Sequence, residues 1–109
     1  MIDYAAVLNA NFAGSQWTLD GDGYEGLTWL SDTSKPTKAT LDAAWPAVRD
    51  ALAWDRVRVE RDRLLAASDW TQAPDAPVDA AAWAVYRQTL RDIPQDYATP
   101  DAVVWPEAP

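Results

Sequence analysis

The chain has 109 residues and a formal net charge of −8, from 17 acidic and nine basic residues, and it contains no cysteine and no histidine. The charge argues against a basic surface for nucleic acid or anionic lipid, and the missing residue types remove disulfides, thiolate metal sites and ordinary nucleophile–base pairs. No apolar run approaches the roughly 20 residues that cross a bilayer, and the first residues lack a leader pattern. We therefore expect a cytosolic protein that is not an enzyme, with no metal or cofactor and no nucleic-acid or membrane partner.

Seven tryptophans are the unusual feature of this composition. A chain of this size buries only about two-thirds of its surface on folding, and each aromatic side chain can bury on the order of 150–250 Å². Trp, Tyr and Arg are also the residues that dominate interface hot spots. We therefore expect some of the indoles to form the core and others to reach the surface of a partner.

The N-terminal part predicts a short helix and a β-hairpin. Residues 1–11 form an amphipathic pattern with Asp3 as its N-cap. Polar and apolar residues alternate in 16–20 and in 26–30, and the glycine-rich turn between them tolerates positive φ. The expected buried face of the hairpin consists of Trp17, Leu19, Leu27 and Trp29.

A longer helix is expected to cover this hairpin. Thr37 is its natural N-cap. Pro46 is expected to kink or break the helix, because an interior proline costs about 3 kcal/mol, with the helix resuming at Ala47 and running towards Ala67. The apolar stripe of this segment consists of Leu41, Ala44, Trp45, Val48 and Leu52.

The C-terminal half predicts an antiparallel helical hairpin. Leu64 and Leu65 lie on the apolar face of its first helix. The second helix is expected to begin with Asp75 as cap and Pro77 in the first turn, and to stop at Pro94. A connection of fewer than ten residues makes the two helices antiparallel neighbours. The residues expected to meet the two leucines are Trp83, Tyr86 and Leu90.

The last segment, 95–109, holds three prolines and no helical period, which indicates an extended tail. Its Val104 and Trp105 either lie across the helical hairpin or dock on a partner. The predicted fold class is α+β, mainly α. We expect one module at 1–54, built from a helix, a β-hairpin and a covering helix, and a second at 55–109, built from the helical hairpin and the extended C-terminal tail.

Several separated blocks of the C-terminal half form a recognisable set. The blocks are Arg61 to Leu65, Ser68 to Gln72, Pro74-Asp75, Trp83-Ala84, Tyr86 to Gln88, Leu90 to Asp92 and Val104 to Pro106. In their wording and their order they resemble the phage tail assembly chaperone domain. The resemblance implies a role in building or attaching tail fibres without catalysis, in the host cytoplasm during assembly and also in the virion tail if the chain is retained.

The front half is similar to the XkdW-like small proteins encoded in phage tail regions. Such sequences often carry Glu three residues after the capping threonine, where this chain has Thr40. The reciprocal capping box is therefore lost, and we expect a softer helix start. The residues that carry the similarity are Tyr4, Trp17 to Leu19, Tyr24 to Leu30, Lys35 to Leu41 and Trp45.

The expected partner is a phage tail fibre, itself expected to be a trimer, or a baseplate protein. An acidic inhibitor of a host nucleic-acid enzyme is the alternative, which the net charge favours but the nine interspersed basic residues and the tryptophans do not. The candidate partner-binding residues are Trp54, Trp70, Tyr86, Arg87 and Trp105.

Overall fold

Three helices and one small antiparallel sheet form the chain, so the predicted α+β, mainly α class is confirmed. The computed structural model describes residues 1–109. The chain divides into two compact units, Met1–Ala51 and Leu52–Pro109, and the longest helix contributes residues to both. The elements are α1 (Tyr4–Asn11), β1 (Trp17–Leu19), β2 (Leu27–Trp29), α2 (Lys38–Ser68) and α3 (Ala80–Asp96), with 3-10 turns at Tyr24–Gly26, Asp69–Gln72 and Pro100–Ala102.

The predicted cap of α1 is confirmed. The Asp3 carboxylate accepts a hydrogen bond of 3.0 Å from the backbone N–H of Ala6, which satisfies one of the free donors at a helix N-terminus. Tyr4, Val7 and Leu8 are buried on one face of the helix. The short helix therefore packs into the core of residues 1–51 by the face that its sequence pattern indicates.

The β-hairpin is confirmed in its strands and in its inward face. Trp17 pairs with Trp29, and Leu19 pairs with Leu27. All four side chains pack in the same apolar cluster as residues of α1 and α2. A two-stranded hairpin is marginal in water by itself, so this packing is what stabilises it.

Two glycines shape the hairpin turn. Gly21 has a φ of +81°, a left-handed conformation that glycine adopts without steric cost. Gly26 lies against the backbone carbonyl of Asp20, where a Cβ would collide with the oxygen. The Asp20 N–H also donates to the Gly26 carbonyl at 3.0 Å. The two backbone segments would have to break or stretch this hydrogen bond to make room for a Cβ at Gly26.

The helix α2 begins at the predicted cap. The backbone N–H of Thr40 donates to Thr37 Oγ1 at 3.1 Å. The Thr40 hydroxyl lies 2.9 Å from that same oxygen, at the position where a capping box would have Glu. The two threonines therefore hydrogen-bond through their hydroxyls at this helix start.

Of the kink or break expected at Pro46, the break, with the helix resuming at Ala47, is wrong. The helix α2 is continuous from Lys38 to Ser68, with Pro46 inside it. Leu41 and Val48 are both buried in the apolar cluster of residues 1–51, and they lie two helical turns apart. Only a helix that continues through Pro46 keeps both on one face, and their burial offsets the hydrogen bond that proline removes.

In residues 52–109, α3 packs its apolar face against the C-terminal part of α2. Tyr86, Leu90 and Ile93 are buried at the centre of this second cluster. The predicted contact of Leu64 and Leu65 with α3 is confirmed, since both belong to the cluster. Its half-buried members are Trp54, Val57, Leu64, Leu65, Trp83, Tyr97, Val103 and Trp105.

Both predicted ends of α3 are wrong by a few residues. The N-cap is Asp79, whose carboxylate accepts from the N–H groups of Ala81 and Ala82 at 3.1 Å each. Asp75 and Pro77 instead lie in the turn that precedes the helix. The helix also passes Pro94 and ends at Asp96, because the residue before the proline, Ile93, is only 1% exposed and its burial holds the helical conformation.

The residues after α3 include an extended segment that we call the C-terminal strap, residues 97–109. Its Val103 and Trp105 pack on the second apolar cluster, whereas Val104 is 71% exposed. The expectation that the tail lies across the helical hairpin through Val104 and Trp105 therefore agrees with the structure for Trp105 and is wrong for Val104, whose neighbour Val103 makes the contact instead. No helix of the chain combines the length and the apolar character that crossing a membrane requires.

An ion-paired group in residues 1–51 joins α1 to α2. The Tyr4 hydroxyl donates to Asp42 Oδ1 at 2.7 Å, and Lys38 Nζ donates to Asp42 Oδ2 at 2.8 Å. The hydrogen bond from Lys38, followed by that from Tyr4, lowers the pKa of the Asp42 carboxyl below its ordinary value. The charged form of Asp42 is therefore favoured in the folded state.

A substitution at Gly26 tests the close approach in the hairpin turn. We expect Gly26→Ala to lower the free energy of unfolding by about 1–3 kcal/mol, because the added methyl group forces the backbone apart. Gly14→Ala is the matched control, since its Cβ meets no atom within 4 Å. Urea denaturation followed by circular dichroism measures both, and equal stability of the two variants would contradict the packing at Gly26.

The lowered pKa of Asp42 predicts a pH dependence of stability. A carboxyl with a depressed folded-state pKa stabilises the fold above its ordinary value, and this contribution is lost as the pH falls through the folded pKa. We expect the unfolding temperature of the wild type to fall more steeply below about pH 4 than that of Asp42→Asn. The control Asp32→Asn alters an exposed loop carboxylate and should follow the wild-type slope. Parallel slopes for Asp42→Asn and the wild type would rule the contribution out.

Candidate interaction surface

A buried arginine joins α3 to the end of α2. Arg87 Nη1 donates to the Leu65 carbonyl at 2.7 Å and to Ser68 Oγ at 2.8 Å, and Nη2 donates to Asp69 Oδ1 at 2.6 Å. The arginine is only 8% exposed. A cation at this position satisfies the free carbonyls of a helix C-terminus and suits its negative dipole end.

Further hydrogen bonds surround the contact between Arg87 and the end of α2, and we call the whole set the polar junction. Ser68 Oγ donates to the Leu64 carbonyl at 2.8 Å, and Thr71 Oγ1 donates to the Ser68 carbonyl at 2.6 Å. Gln72 Nε2 donates to the Ala80 carbonyl at 3.2 Å, which ties the turn to the start of α3. Hydrogen bonds to α3 therefore hold both ends of the 3-10 turn Asp69–Gln72, from Arg87 at its start and from Gln72 at its end.

Trp70 lies on this turn and is 54% exposed. Its ring centroid is 6.4 Å from that of Trp83, with the planes tilted by 52°. Trp83 in turn contacts Tyr86 edge to face, at 5.5 Å and 89°. The exposed indole is therefore the outer end of an aromatic row that reaches the buried core.

The charges around Trp70 have one sign in sequence. From Leu64 to Tyr86 the chain contains three aspartates and no lysine or arginine. Asp69 keeps a side-chain exposure of 66% although it pairs with Arg87. An exposed indole suits a partner surface that carries a cation, since the ring face attracts positive charge.

The five predicted partner-binding residues occupy different environments. Trp70 is exposed, whereas Tyr86 and Arg87 are buried within the chain. Trp54 and Trp105 are half-buried and pack against the cluster that contains Tyr86. In this conformation Tyr86 lies in the core on the apolar face of α3, and Arg87 is bonded to the end of α2. Both residues therefore lie beneath the surface that Trp70 occupies.

The seven tryptophans differ in exposure, but no indole belongs to the fully buried core. None of the seven is fully buried; six are half-buried and Trp70 is exposed. The interior of this small chain covers each indole only in part.

The polar junction of Ser68, Asp69 and Thr71 was not predicted as a unit. One signal for it was present in the sequence. Arg87 lies four residues after Trp83 and three before Leu90, so it shares the apolar stripe of α3. An arginine on that stripe must be buried and find acceptors, and the polar end of α2 provides them.

These features define a small helical-hairpin module that presents an aromatic side chain on a fixed turn. Residues 54–109 match the family model described as phage tail assembly chaperone protein. The match covers just over half of the chain, and the chain belongs to this family. No curated protein and no solved structure matches the chain.

Membership of the family assigns the chain to the assembly of phage tails, through interaction with phage tail proteins. The family is one of structural and chaperone proteins. The predicted resemblance of the C-terminal half is thereby confirmed. The match does not extend into residues 1–53, where the similarity to XkdW-like proteins stays a prediction.

Removal of the buried guanidinium tests the junction. We expect Arg87→Ala to lower the free energy of unfolding by about 2–4 kcal/mol, because buried acceptors lose their charged donor. The matched control is Arg91→Ala, one turn further along the same helix, exposed and without an ion pair. It should change stability by no more than about 0.5 kcal/mol. Urea denaturation measures both variants, and similar losses for the two would show that the junction adds no stability.

Proposed function

We propose that this chain binds a tail fibre or baseplate component during phage assembly and helps to build the fibre or attach it. The observation that carries the proposal is the exposed indole of Trp70, held on a turn that Arg87 and Gln72 fix from both sides. A rigid aromatic side chain binds with little loss of conformational freedom, which favours its use as an interface anchor.

The mechanism follows from apolar surface and charge. A tail fibre trimer exposes apolar surface at its attachment region before it is assembled, and such patches promote aggregation. In this proposal Trp70 packs into this surface, and the aspartates of the same segment pair with basic residues of the fibre that border it. The net charge of −8 keeps the complex of chain and fibre dispersed in the host cytoplasm.

Residues 1–54 provide a second surface in this proposal. A groove of about 470 Å³ lies between the start of α1 and the hairpin. Among its lining residues are Ile2, Tyr4, Trp17 and Leu19, an apolar set suited to another tail component. If the two modules hold two components, the chain bridges them and stays in the virion tail as an adaptor.

The contact at Trp70 is tested by co-expression. We expect the wild-type chain to co-purify with a tail fibre or baseplate protein encoded in the same phage genome. Trp70→Ala should weaken that complex about 10- to 100-fold, because a buried tryptophan anchor is a typical hot spot. Isothermal titration with the purified partner gives the two dissociation constants.

The matched control is Val59→Ala, because Val59 is an apolar residue of α2 that is 70% exposed. It should bind the partner as the wild type does. Equal affinity of wild type and Trp70→Ala would remove Trp70 from the interface. Mass spectrometry of purified virions tests retention, and absence of the chain from both the complex and the particle would overturn the proposal. Salt-sensitive binding to a host nucleic-acid enzyme would favour the inhibitor alternative.

A further inference from the structure

The C-terminal strap is attached to the helical hairpin mainly by side chains. Beyond Pro100–Ala102 it has no regular secondary structure. The backbone of its last part accepts one side-chain hydrogen bond, from the Tyr97 hydroxyl to the Val104 carbonyl at 3.2 Å. Val103 and Trp105 supply the apolar contacts with the cluster. A segment with few backbone hydrogen bonds and a small apolar contact opens at low free-energy cost.

The strap also leaves part of its binding site open. A groove of about 340 Å³ lies beside Trp105. Residues of α2 form one wall of this groove, and Pro100 and Asp101 of the strap contribute to its lining. The wall from α2 consists of Ala53, Arg56, Val57 and Glu60.

The charges of the groove indicate which ligand suits it. Glu60 is paired with Arg63 at 2.6 Å, whereas Arg56 makes no ion pair. Asp101 of the strap lines the same groove as Arg56. No ion pair joins Arg56 to Asp101, so the Arg56 guanidinium is free to pair with a carboxylate of a ligand. The site therefore suits an extended segment that carries an acidic residue four positions before an aromatic one, the spacing of Asp101 and Trp105 in the strap.

We propose that the strap is an internal occupant of a groove for a phage tail protein. An extended segment of that protein, with an aromatic residue near an acidic one, displaces Val103 and Trp105 and packs on Trp54 and Val57. The identity of the partner rests on the proposed function. The apparent affinity for the partner equals the intrinsic affinity multiplied by the fraction of molecules whose groove is uncovered, so the strap weakens partner binding. The strap also keeps the apolar surface covered until the partner arrives.

This mechanism predicts opposite effects for two tryptophans. Loss of Trp70 weakens partner binding, because Trp70 is a contact residue. Loss of Trp105 strengthens partner binding, because the competing internal segment is weakened. A strap that contacts the partner directly would instead make both substitutions weaken binding.

The first experiment uses the full chain and a synthetic peptide of residues 99–109 as the probe. We expect the peptide to bind the double variant Val103→Ala, Trp105→Ala about tenfold more tightly than the wild type, since its site is then vacant. The matched control is Val104→Ala, because Val104 belongs to the strap but is 71% exposed. It should bind the peptide as weakly as the wild type. Equal affinity for the double variant and the wild type would overturn the proposal.

The second experiment observes partner binding in the wild-type chain and uses a variant only to assign one resonance. The wild-type chain is labelled with 5-fluorotryptophan, and the fluorine resonance of Trp105 is assigned with Trp105→Phe. On addition of the tail protein that co-purifies with the chain, we expect this resonance to move to the position found in the free peptide. A shift of the Trp70 resonance alone would overturn the strap proposal and leave the proposed function intact.

Two further outcomes separate the possible occupants. If no tail protein binds, the proposed function fails, while the peptide titration still decides whether the groove accepts an extended segment from another molecule. If the mass doubles as the chain concentration rises while Trp105 keeps its docked resonance, the occupant is the strap of a second copy. That result would overturn the assignment of the groove to a tail protein.

Discussion

The buried guanidinium of Arg87 is the interaction on which residues 52–109 depend. It donates to a carbonyl at the end of α2, to the Ser68 hydroxyl and to the Asp69 carboxylate. One side chain of α3 therefore ends α2 and orients the turn that follows it. Without this junction the free carbonyls of α2 would need water, and the turn that carries Trp70 would lose its support.

The small size of the chain explains why its aromatic residues both pack against the core and keep part of their rings exposed. Each compact unit has a small core of fully buried residues, and half-buried indoles complete both. A half-buried indole contributes packing with one part of its ring and offers the other part to solvent or to a ligand.

Local rules and tertiary packing disagree at three places, and packing decides each of them. Pro46 and Pro94 both lie inside helices, because Leu41, Val48 and Ile93 are buried on faces that a helix break would disrupt. At the start of α3, Asp75 and Asp79 are both acceptable caps. The chain uses Asp79, which accepts from the N–H of Ala81. Gln72 donates to the carbonyl of the next residue, Ala80, and so ties the preceding turn to the start of the helix.

The sequence by itself determined the types of the elements, the hairpin face, the caps at Asp3 and Thr37 and the C-terminal family resemblance. These features depend on the spacing of apolar residues and on hydrogen bonds between near neighbours in the chain. Only the tertiary structure decided which acceptors Arg87 finds, that Trp70 is the exposed indole and that Val103 and Trp105 are the residues by which the strap packs on the hairpin. Those properties depend on which distant segments enclose a side chain, and a one-dimensional pattern does not contain that information.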